Sequence, residues 1–459
     1  MRTNMWLGAL LCQRRGRVMT GLTDASGTKR LPRRVVLISD LCEPRDGPSV
    51  IALRNATMLA DRGLLVEYFC GDFGRNEDLA QSGVTLHAVG ASDLRNSSFA
   101  MAVVKGLYNI PAARRLRSLI RSKDTPETLY HVHNWSKILS PSIFDALRPV
   151  MDRVVLTAHD YFLACPNGGY FHFQQGLPCT KRPLSLSCLG ANCDRRSRLE
   201  KTWRIVRDIE RRFLMDISGS GATVLAVHEG MVPLLERGGI PAHVIKVLRN
   251  PVQSWSEKRV RAEGNRSFLF VGRLEHDKGV LLLAEAAKQA KVPVTFVGEG
   301  ALASDIAAIY PGARIAGFKD HRGLKEVAAE TRCLVVPTRS RETFSLVAYE
   351  ALTSGIPVII SDFAATRDEI LEHGVGLSCN PYETGGLSRC LAELATDDAR
   401  ISQMSFKGFR DREKLALSSM DWERSLLDIY RQQMQKAGSR QKAPIGQRRR
   451  AVASIPLLG

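Results

Sequence analysis

Two doubly wound α/β domains, each built on a parallel sheet, are predicted by three observations. Short β-branched runs alternate with longer helical patterns from residue 34 onward, which is how a parallel sheet covered by helices on both faces reads in sequence. A polar stretch, Ser254–Arg266 after Asn250-Pro251, interrupts the alternation, and the pattern then starts again. The chain has 459 residues, too long for one ordinary domain and comfortable for two. Rossmann-like domains bind ligands at the carboxyl ends of their strands, where the strand order reverses. With two such sheets facing one another, the expected site is the cleft between them.

The elements follow in order. In the first half the predicted strands are Arg34–Ser39, Leu64–Cys70, Val84–Val89, Leu129–His133, Arg153–His159, Thr223–Val227 and Val244–Leu248. Helical spacing covers Val50–Arg62, Phe99–Arg121 and Ser142–Leu147. In the second half the strands are Ser267–Val271, Pro293–Val297, Arg314–Gly317, Cys333–Pro337 and Pro357–Ser361. Helices fall between them at Val280–Ala290, Ala301–Ile309, Leu324–Glu330 and Leu346–Ser354, and a last one at Trp422–Gln433 is expected to return to the first domain. The expected boundaries are a basic extension 1–33, a first domain 34–250 with a Cys-bearing insert 162–200, a second domain 251–415, a helix 416–434 and a basic tail 435–459.

Hydrophobic residues make up 44% and charged residues 24%, ordinary globular proportions that exclude a disordered or fibrous chain. No apolar run approaches the ~20 residues needed to span a bilayer. The net charge is +18, a balance that suggests an anionic partner. Its location narrows that reading. Residues 1–35 carry eight Lys/Arg against Asp24 alone, and residues 431–459 carry seven with no acid, so the two ends supply +14. They read as flexible basic tails. No nucleic-acid partner is expected, because neither a binding fold nor basic-aromatic interleaving is recognisable. The apolar run Met5–Cys12 precedes its arginines, the reverse of a secretory signal. A cytoplasmic location and reduced cysteines are therefore expected, with translation starting at Met1 or at Met19.

The second half carries the chemistry. Strand Ser267–Val271 runs into Gly272-Arg273-Leu274-Glu275-His276-Asp277-Lys278-Gly279 and then a helix, a junction whose backbone N–H groups suit a phosphate. Arg273 and Lys278 add a fork-shaped and a point cation; the alternative is a turn with solvated charges. Gly298-Glu299-Gly300 repeats the junction one strand later. The segment 337–352 then places Glu342 on a loop and Glu350 inside a helix that begins near Ser345. The amides of Thr343, Phe344, Ser345 and Leu346 would be the unsatisfied donors of that helix start. Two carboxylates for hydroxyls, with amides and cations for an anion, suit a sugar nucleotide. Against this stand a helix-terminal charge for Glu342 and a structural carboxylate for Glu350, although an unpaired buried Glu is costly.

Gly272-Arg273-Leu274 with Lys278-Gly279, Gly298-Glu299-Gly300, Glu342 eight residues before Glu350, and Ala351-Leu352 with Gly355-Ile356-Pro357-Val358 together resemble the retaining glycosyltransferases of family 4. The resemblance implies the GT-B fold, two Rossmann-like domains facing across a cleft, with the acceptor on the first domain and the nucleotide sugar on the second. It implies that Arg273 and Lys278 neutralise the donor diphosphate, Glu342 contacts the donor sugar and Glu350 binds the ribose. It implies that Gly272, Gly298 and the loop Thr343–Leu346 approach sugar and phosphate. The family typically has Gly where Ser345 stands, and a Gly-rich stretch where this chain has residues 363–369 with Arg367 among them. No cofactor is implied for catalysis, and a front-face mechanism is the usual family proposal.

On the acceptor side, Gly47 follows the first strand, while His133 and the pair His159-Asp160 end two others. A lone His is more often structural, but two clusters at equivalent strand ends raise the odds of a site. The resemblance makes His159 the counterpart of a family His near the transferred sugar. Cys165, Cys179, Cys188 and Cys193 in the insert read either as a structural zinc clip or as free thiols, the spacing departing from the usual close Cys pairs. Arg195, Arg196, Arg198, Lys201, Arg204, Arg207, Arg211 and Arg212 share a helical stretch with Trp203, Ile205, Val206 and Phe213, which reads as contact with an anionic membrane surface. The interleaved acids make a solvated face the alternative. The expectation is a transferase moving sugar from a UDP- or GDP-linked donor to a glycan or lipid-linked acceptor in polysaccharide or glycolipid assembly, peripheral on the cytoplasmic membrane face. The rivals are another GT-B enzyme such as a nucleotide-sugar epimerase or a phosphorylase, a non-enzymatic basic-tailed binding protein, and an inactive scaffold.

Overall fold

The structure, a computed structural model, describes residues 31–93 and 99–442. The expectations for residues 1–30 and 443–459, including Met19 and most of both basic ends, lie outside the described residues.

The β-branched run Arg34–Ser39 forms β1, with Val35 to Ile38 all at most 1% exposed. A strand apolar on both faces belongs in the middle of a covered parallel sheet. Its neighbours are β2 (Leu65–Cys70) and β4 (Thr128–Val132), both parallel to it. With β3 (Thr85–Ala88), β5 (Val154–Ala158), β8 (Thr223–Ala226) and β9 (Ile245–Val247), the sheet has the order β3-β2-β1-β4-β5-β8-β9. The order reverses between β1 and β4, so the loops after these two strands diverge and leave a crevice.

The second sheet repeats the plan. Strands β10 (Ser267–Val271), β11 (Val294–Val297), β12 (Arg314–Ile315), β13 (Thr331–Val336), β14 (Val358–Ser361) and β15 (Gly376–Cys379) stand in the order β12-β11-β10-β13-β14-β15, again all parallel. Its reversal lies between β10 and β13. Helix Val280–Ala290 and the helix Gly386–Thr396 cover it with Leu283, Ala287, Leu391 and Leu394, each fully buried.

Among the described residues the chain divides into two compact units. One holds 31–170, 179–248 and 423–442; the other holds Phe171–Pro178 and Arg249–Trp422. Within the latter, the antiparallel pair β6 (Phe171–His172) and β7 (Leu177–Pro178) sets the Phe171 ring 5.3 Å from Phe363 and 6.0 Å from Tyr382.

Every strand read from the sequence is present, with ends within two residues. The sequence reading missed β15, whose Gly-Leu-Ser-Cys lacks β-branched residues, and the two-residue strands β6 and β7. The region Phe99–Arg121 is two helices, Phe99–Leu107 and Ile110–Lys123, because the Asn109 side chain caps the second and Pro111 fills its first turn. The last helix runs over Ser419–Lys442, past its expected end at 433 and into the expected tail. Gln433 is the reason: it is buried, bonding Thr223 (2.6 Å) and the Gly221 carbonyl (2.9 Å), so a polar residue occupies a core position. Ala437, 2% exposed, continues the same face, and Arg440 donates to the Gly219 carbonyl at 2.7 Å.

Candidate functional site

In the C-terminal unit, strands β10 and β13 flank the reversal point, and the loops after them carry the expected donor residues. The crossing of these loops depends on glycine. Gly298 has φ +136°, and a Cβ there would lie 1.9 Å from the Gly272 carbonyl oxygen. Gly279 has φ +72°, with a Cβ 2.0 Å from the Pro337 carbonyl. Neither position tolerates a side chain, and this backbone contact draws the Gly272–Gly279 loop against the loop after β13.

That approach joins Lys278 to Glu342. Lys278 Nζ lies 3.3 Å from Glu342 Oε1, and Thr338 Oγ1 donates to Glu342 Oε2 at 2.6 Å. Both carboxylate oxygens are therefore oriented. Arg273 is about half exposed and pairs with Glu275 and, at 3.8 Å, with Asp277. Exposed pairs of this kind are worth ~0–1 kcal/mol, so the guanidinium can exchange them for another anion at little cost.

Helix Leu346–Thr353 begins beside this pair, and no side chain caps its start. The Ser345 hydroxyl is buried (1% exposed) and lacks a protein partner. An orphaned buried hydroxyl at an uncapped helix start marks a place prepared for a polar ligand. The Phe344 ring stacks on Tyr349 at 4.8 Å, which fixes the turn into the helix. Within the helix, Glu350 Oε2 accepts from Trp255 Nε1 at 3.2 Å. Trp255 is itself 1% exposed and bonds the Ser354 hydroxyl, so the expected linker is packed core at this point. Residues 363–369, without glycine, are tied instead by backbone: Ala365 N–H donates to the Glu342 carbonyl at 2.8 Å. Arg367 there is engaged with Asp362 and Asp368.

In the N-terminal unit, Gly47 is the first residue of helix Gly47–Asp61, held by an Asp46–Ser49 capping box. Lys137 pairs with Asp46; burial works against that carboxylate's charge, but the ammonium outweighs it and holds its pKa low. Asp40, at the end of β1, accepts the N–H groups of Lys137, Ile138 and Leu139 at 2.8–2.9 Å, yet burial still raises its pKa. His131, His133 and His159 form a buried chain. His133 Nδ1 meets His159 Nε2 at 3.1 Å, Asn55 Nδ2 reaches both His131 and His133, and Tyr430 OH meets His131 Nδ1 at 2.7 Å. Burial pushes His131 down to about 3, His133 well below its ordinary range, and His159 down to about 4. All three are neutral near pH 7, so His159 offers a hydrogen bond and not a charge. Asp160 accepts the Phe162 N–H and is pushed up to about 6 by burial.

The sequence reading passed over Thr338, Trp255, Asp40 and Lys137. Asp40 carried the same signal as His133, a polar residue ending a strand. Trp255 carried none, since its contact spans 95 residues.

The insert cysteines do not converge as a fourfold set. Cys165, Cys188 and Cys193 surround the buried Lys201 ammonium, with Lys201 Nζ 3.7 Å from Cys188 Sγ. Helix Arg198–Leu214 reverses the expected amphipathic arrangement. Lys201, Arg207 and Arg211 are its buried face: Arg207 lies between the Trp135 and Trp203 rings and donates to the Ser136 carbonyl, and Arg211 pairs with Asp208. Leu199, Val206, Ile209 and Phe213 are exposed, at one helical face by their spacing.

Two parallel sheets of this strand order, each with its reversal point and one with a cation–carboxylate pair at an uncapped helix start, define the class of GT-B glycosyltransferase folds. Residues 252–409 match the family described as Glycosyl transferases group 1. The chain is similar to a glycogen synthase of Mycobacterium tuberculosis (strain ATCC 25618 / H37Rv), 27% identical over 194 residues, 39% of this chain and 45% of that one. A GDP-mannose-dependent alpha-mannosyltransferase of Corynebacterium glutamicum is 30% identical over 151 residues, 32% of this chain and 36% of its own. The chain thus spans about half the length of these curated relatives, or less. In fold it resembles the sucrose-phosphate synthase of Thermosynechococcus elongatus (TM-score 0.64, 15% identity, 87% of this chain and 98% of that one). It also resembles HepE of Anabaena in complex with UDP (TM-score 0.60, 14% identity, 86% and 99%).

Proposed function

We propose that this chain is a retaining glycosyltransferase that takes sugar from a UDP- or GDP-linked donor and passes it to a glycan or lipid-linked acceptor. The observation that carries the reading is the orphaned Ser345 hydroxyl beside the Lys278–Glu342 pair. Lys278 and Arg273 hold the diphosphate, Glu342 holds sugar hydroxyls, and Glu350, braced by Trp255, holds the ribose. The bond between the anomeric carbon and the phosphate oxygen breaks as the acceptor oxygen attacks from the same face, and the leaving phosphate oxygen takes the acceptor proton. On the N-terminal unit, Gly47, His133, His159 and Asp160 serve the acceptor side. The UDP bound by HepE of Anabaena and the GDP-mannose dependence of the mannosyltransferases support both bases. One donor of a UDP- and GDP-sugar panel should raise the melting temperature, by a shift equivalent to ~2.7 kcal/mol at a hundredfold excess over Kd. A flat panel would overturn the donor assignment.

No helix among the described residues is long and apolar enough to cross a membrane. The exposed stripe of helix Arg198–Leu214, flanked by Arg195 and Arg198, is the face we assign to an anionic bilayer surface. Each large apolar side chain it buries is worth ~1.5–3 kcal/mol. Phe213→Asp should therefore weaken co-sedimentation with phosphatidylserine vesicles at least about tenfold. Equal binding by this variant would remove the stripe from the interface.

A further inference from the structure

Cys42, Cys70 and Asp72 bring two sulfurs and a carboxylate oxygen within 4.8 Å of one another, and all three residues are buried. No other set of three His, Cys, Asp or Glu ligand atoms is drawn so close among the described residues. The three come from the ends of two neighbouring strands. Cys70 ends β2, Asp72 follows it, and Cys42 lies in the loop after β1, whose Ser39 is the register partner of Cys70.

The cluster is held in place by its surroundings. Asp72 Oδ2 accepts the Cys42 N–H at 2.9 Å. The N–H groups of Gly71 and Asp72 both donate to the Asp40 carbonyl at 3.1 Å. Asn76 Nδ2 donates to the Cys42 carbonyl at 2.6 Å, and Tyr68 OH donates to the Leu41 carbonyl at 2.9 Å. The Gly74 N–H reaches the other carboxylate oxygen, Asp72 Oδ1, at 3.4 Å, so both oxygens are oriented by backbone, and the two thiols meet each other and the carboxylate. Outer partners of this kind orient ligands at metal sites. Without an ion, the thiols are hydrogen-bonded to each other and to the carboxylate; replacing both S–H protons by one cation would neutralise the buried carboxylate as well.

We propose that Cys42, Cys70 and Asp72 form a zinc site that pins the Asp40–Asp46 loop to the end of β2. A pair of thiolates with one carboxylate matches a borderline-soft divalent ion that takes sulfur and oxygen together, which favours zinc over magnesium or calcium. Binding exchanges two S–H bonds for two metal–sulfur bonds; both protons leave to solvent and no electrons move. The fourth position takes water. The pinned loop leads directly into the Asp46–Gly47 helix start on the acceptor side, so the ion would set the conformation of that loop. The proposal is independent of the donor reading, since its readout is metal content.

The full chain, purified under reducing conditions without chelator, should contain one zinc per molecule by elemental analysis. Cobalt substitution should give a thiolate-to-cobalt charge-transfer band. Cys42→Ser, and Asp72→Asn, which keeps both thiols and the side-chain size, should bind zinc at least about tenfold more weakly. Circular dichroism identifies any variant that has not folded. Cys188→Ser should keep the ion and the band. Three results would overturn the site: wild-type protein that takes up no more zinc than Cys42→Ser, loss of zinc in Cys188→Ser but not in Cys42→Ser, or a Cys42–Cys70 disulfide in the reduced preparation, seen as a loss of two hydrogens in intact mass.

Discussion

Lys278→Ala should lower kcat by about 10²–10³-fold, the size expected when one fixed group that stabilises transition-state charge is removed. In the proposed reaction negative charge grows on the leaving diphosphate as the bond from sugar to phosphate breaks, and the Lys278 ammonium assigned to it is fixed by Glu342 at 3.3 Å. Glu342 is fixed in turn by Thr338 at 2.6 Å. Glu342→Ala should be at least as damaging, because it removes the carboxylate proposed to hold the sugar and also frees Lys278. The two losses should therefore not add: the double variant should be little worse than Glu342→Ala alone, as for residues acting as one unit. Lys278 is partly exposed and lies outside the core, so the melting temperature should stay close to that of the wild type. Turnover of Lys278→Ala within about threefold of wild type would show that the diphosphate is neutralised elsewhere, with Arg273 the first candidate.

The loops proposed to hold the donor were legible in the sequence because their parts are local. Gly272 to Gly279 lie in one loop, Glu342 to Glu350 in one loop and helix, and strand–glycine–helix junctions announce themselves. The structure adds the joining of the two loops, which depends on Gly279 and Gly298 admitting backbone at contact distance. The rest was hidden because it is long-range. Trp255 meets Glu350 across 95 residues, and Cys42 meets Asp72 across 30. The basic helix misled for a different reason. Arg207 and Arg211 are long side chains whose stems and planar heads pack against tryptophan rings and a buried Asp, so cations form its inner face and leucine and phenylalanine its outer one. A pattern that assumes charges face water assigns that helix inside out.

Acidification should unfold the N-terminal unit far sooner than its carboxylates alone would, because of His131, His133 and His159. The unfolded chain takes up protons near pH 6.5. The folded histidines refuse them until about 3 for His131 and about 4 for His159, with His133 also depressed, all chiefly through burial. Above pH 6.5 neither state binds these protons and stability is unaffected. Below it only the unfolded state gains, so stability falls as pH drops, by ~1.4 kcal/mol per pH unit for each histidine. Asp160 works the other way. Its folded pKa of about 6 lies above the ordinary 3.8, so the folded state takes the proton first and gains stability as pH falls through 6. Asp40, also raised by burial, adds to that offset. The net expectation is a loss of roughly one to two protons' worth, about 1.4–2.7 kcal/mol per unit between pH 6 and 5, a large share of a marginal ~5–15 kcal/mol. Urea midpoints measured from pH 7.5 to 4.5 should fall accordingly, more steeply for Asp160→Asn and less steeply for His133→Asn. A wild-type midpoint that holds level from pH 6.5 to 5 would mean that the chain from Tyr430 to His159 accepts a proton while folded, and the acceptor-side role proposed for His159 would then be that of a cation.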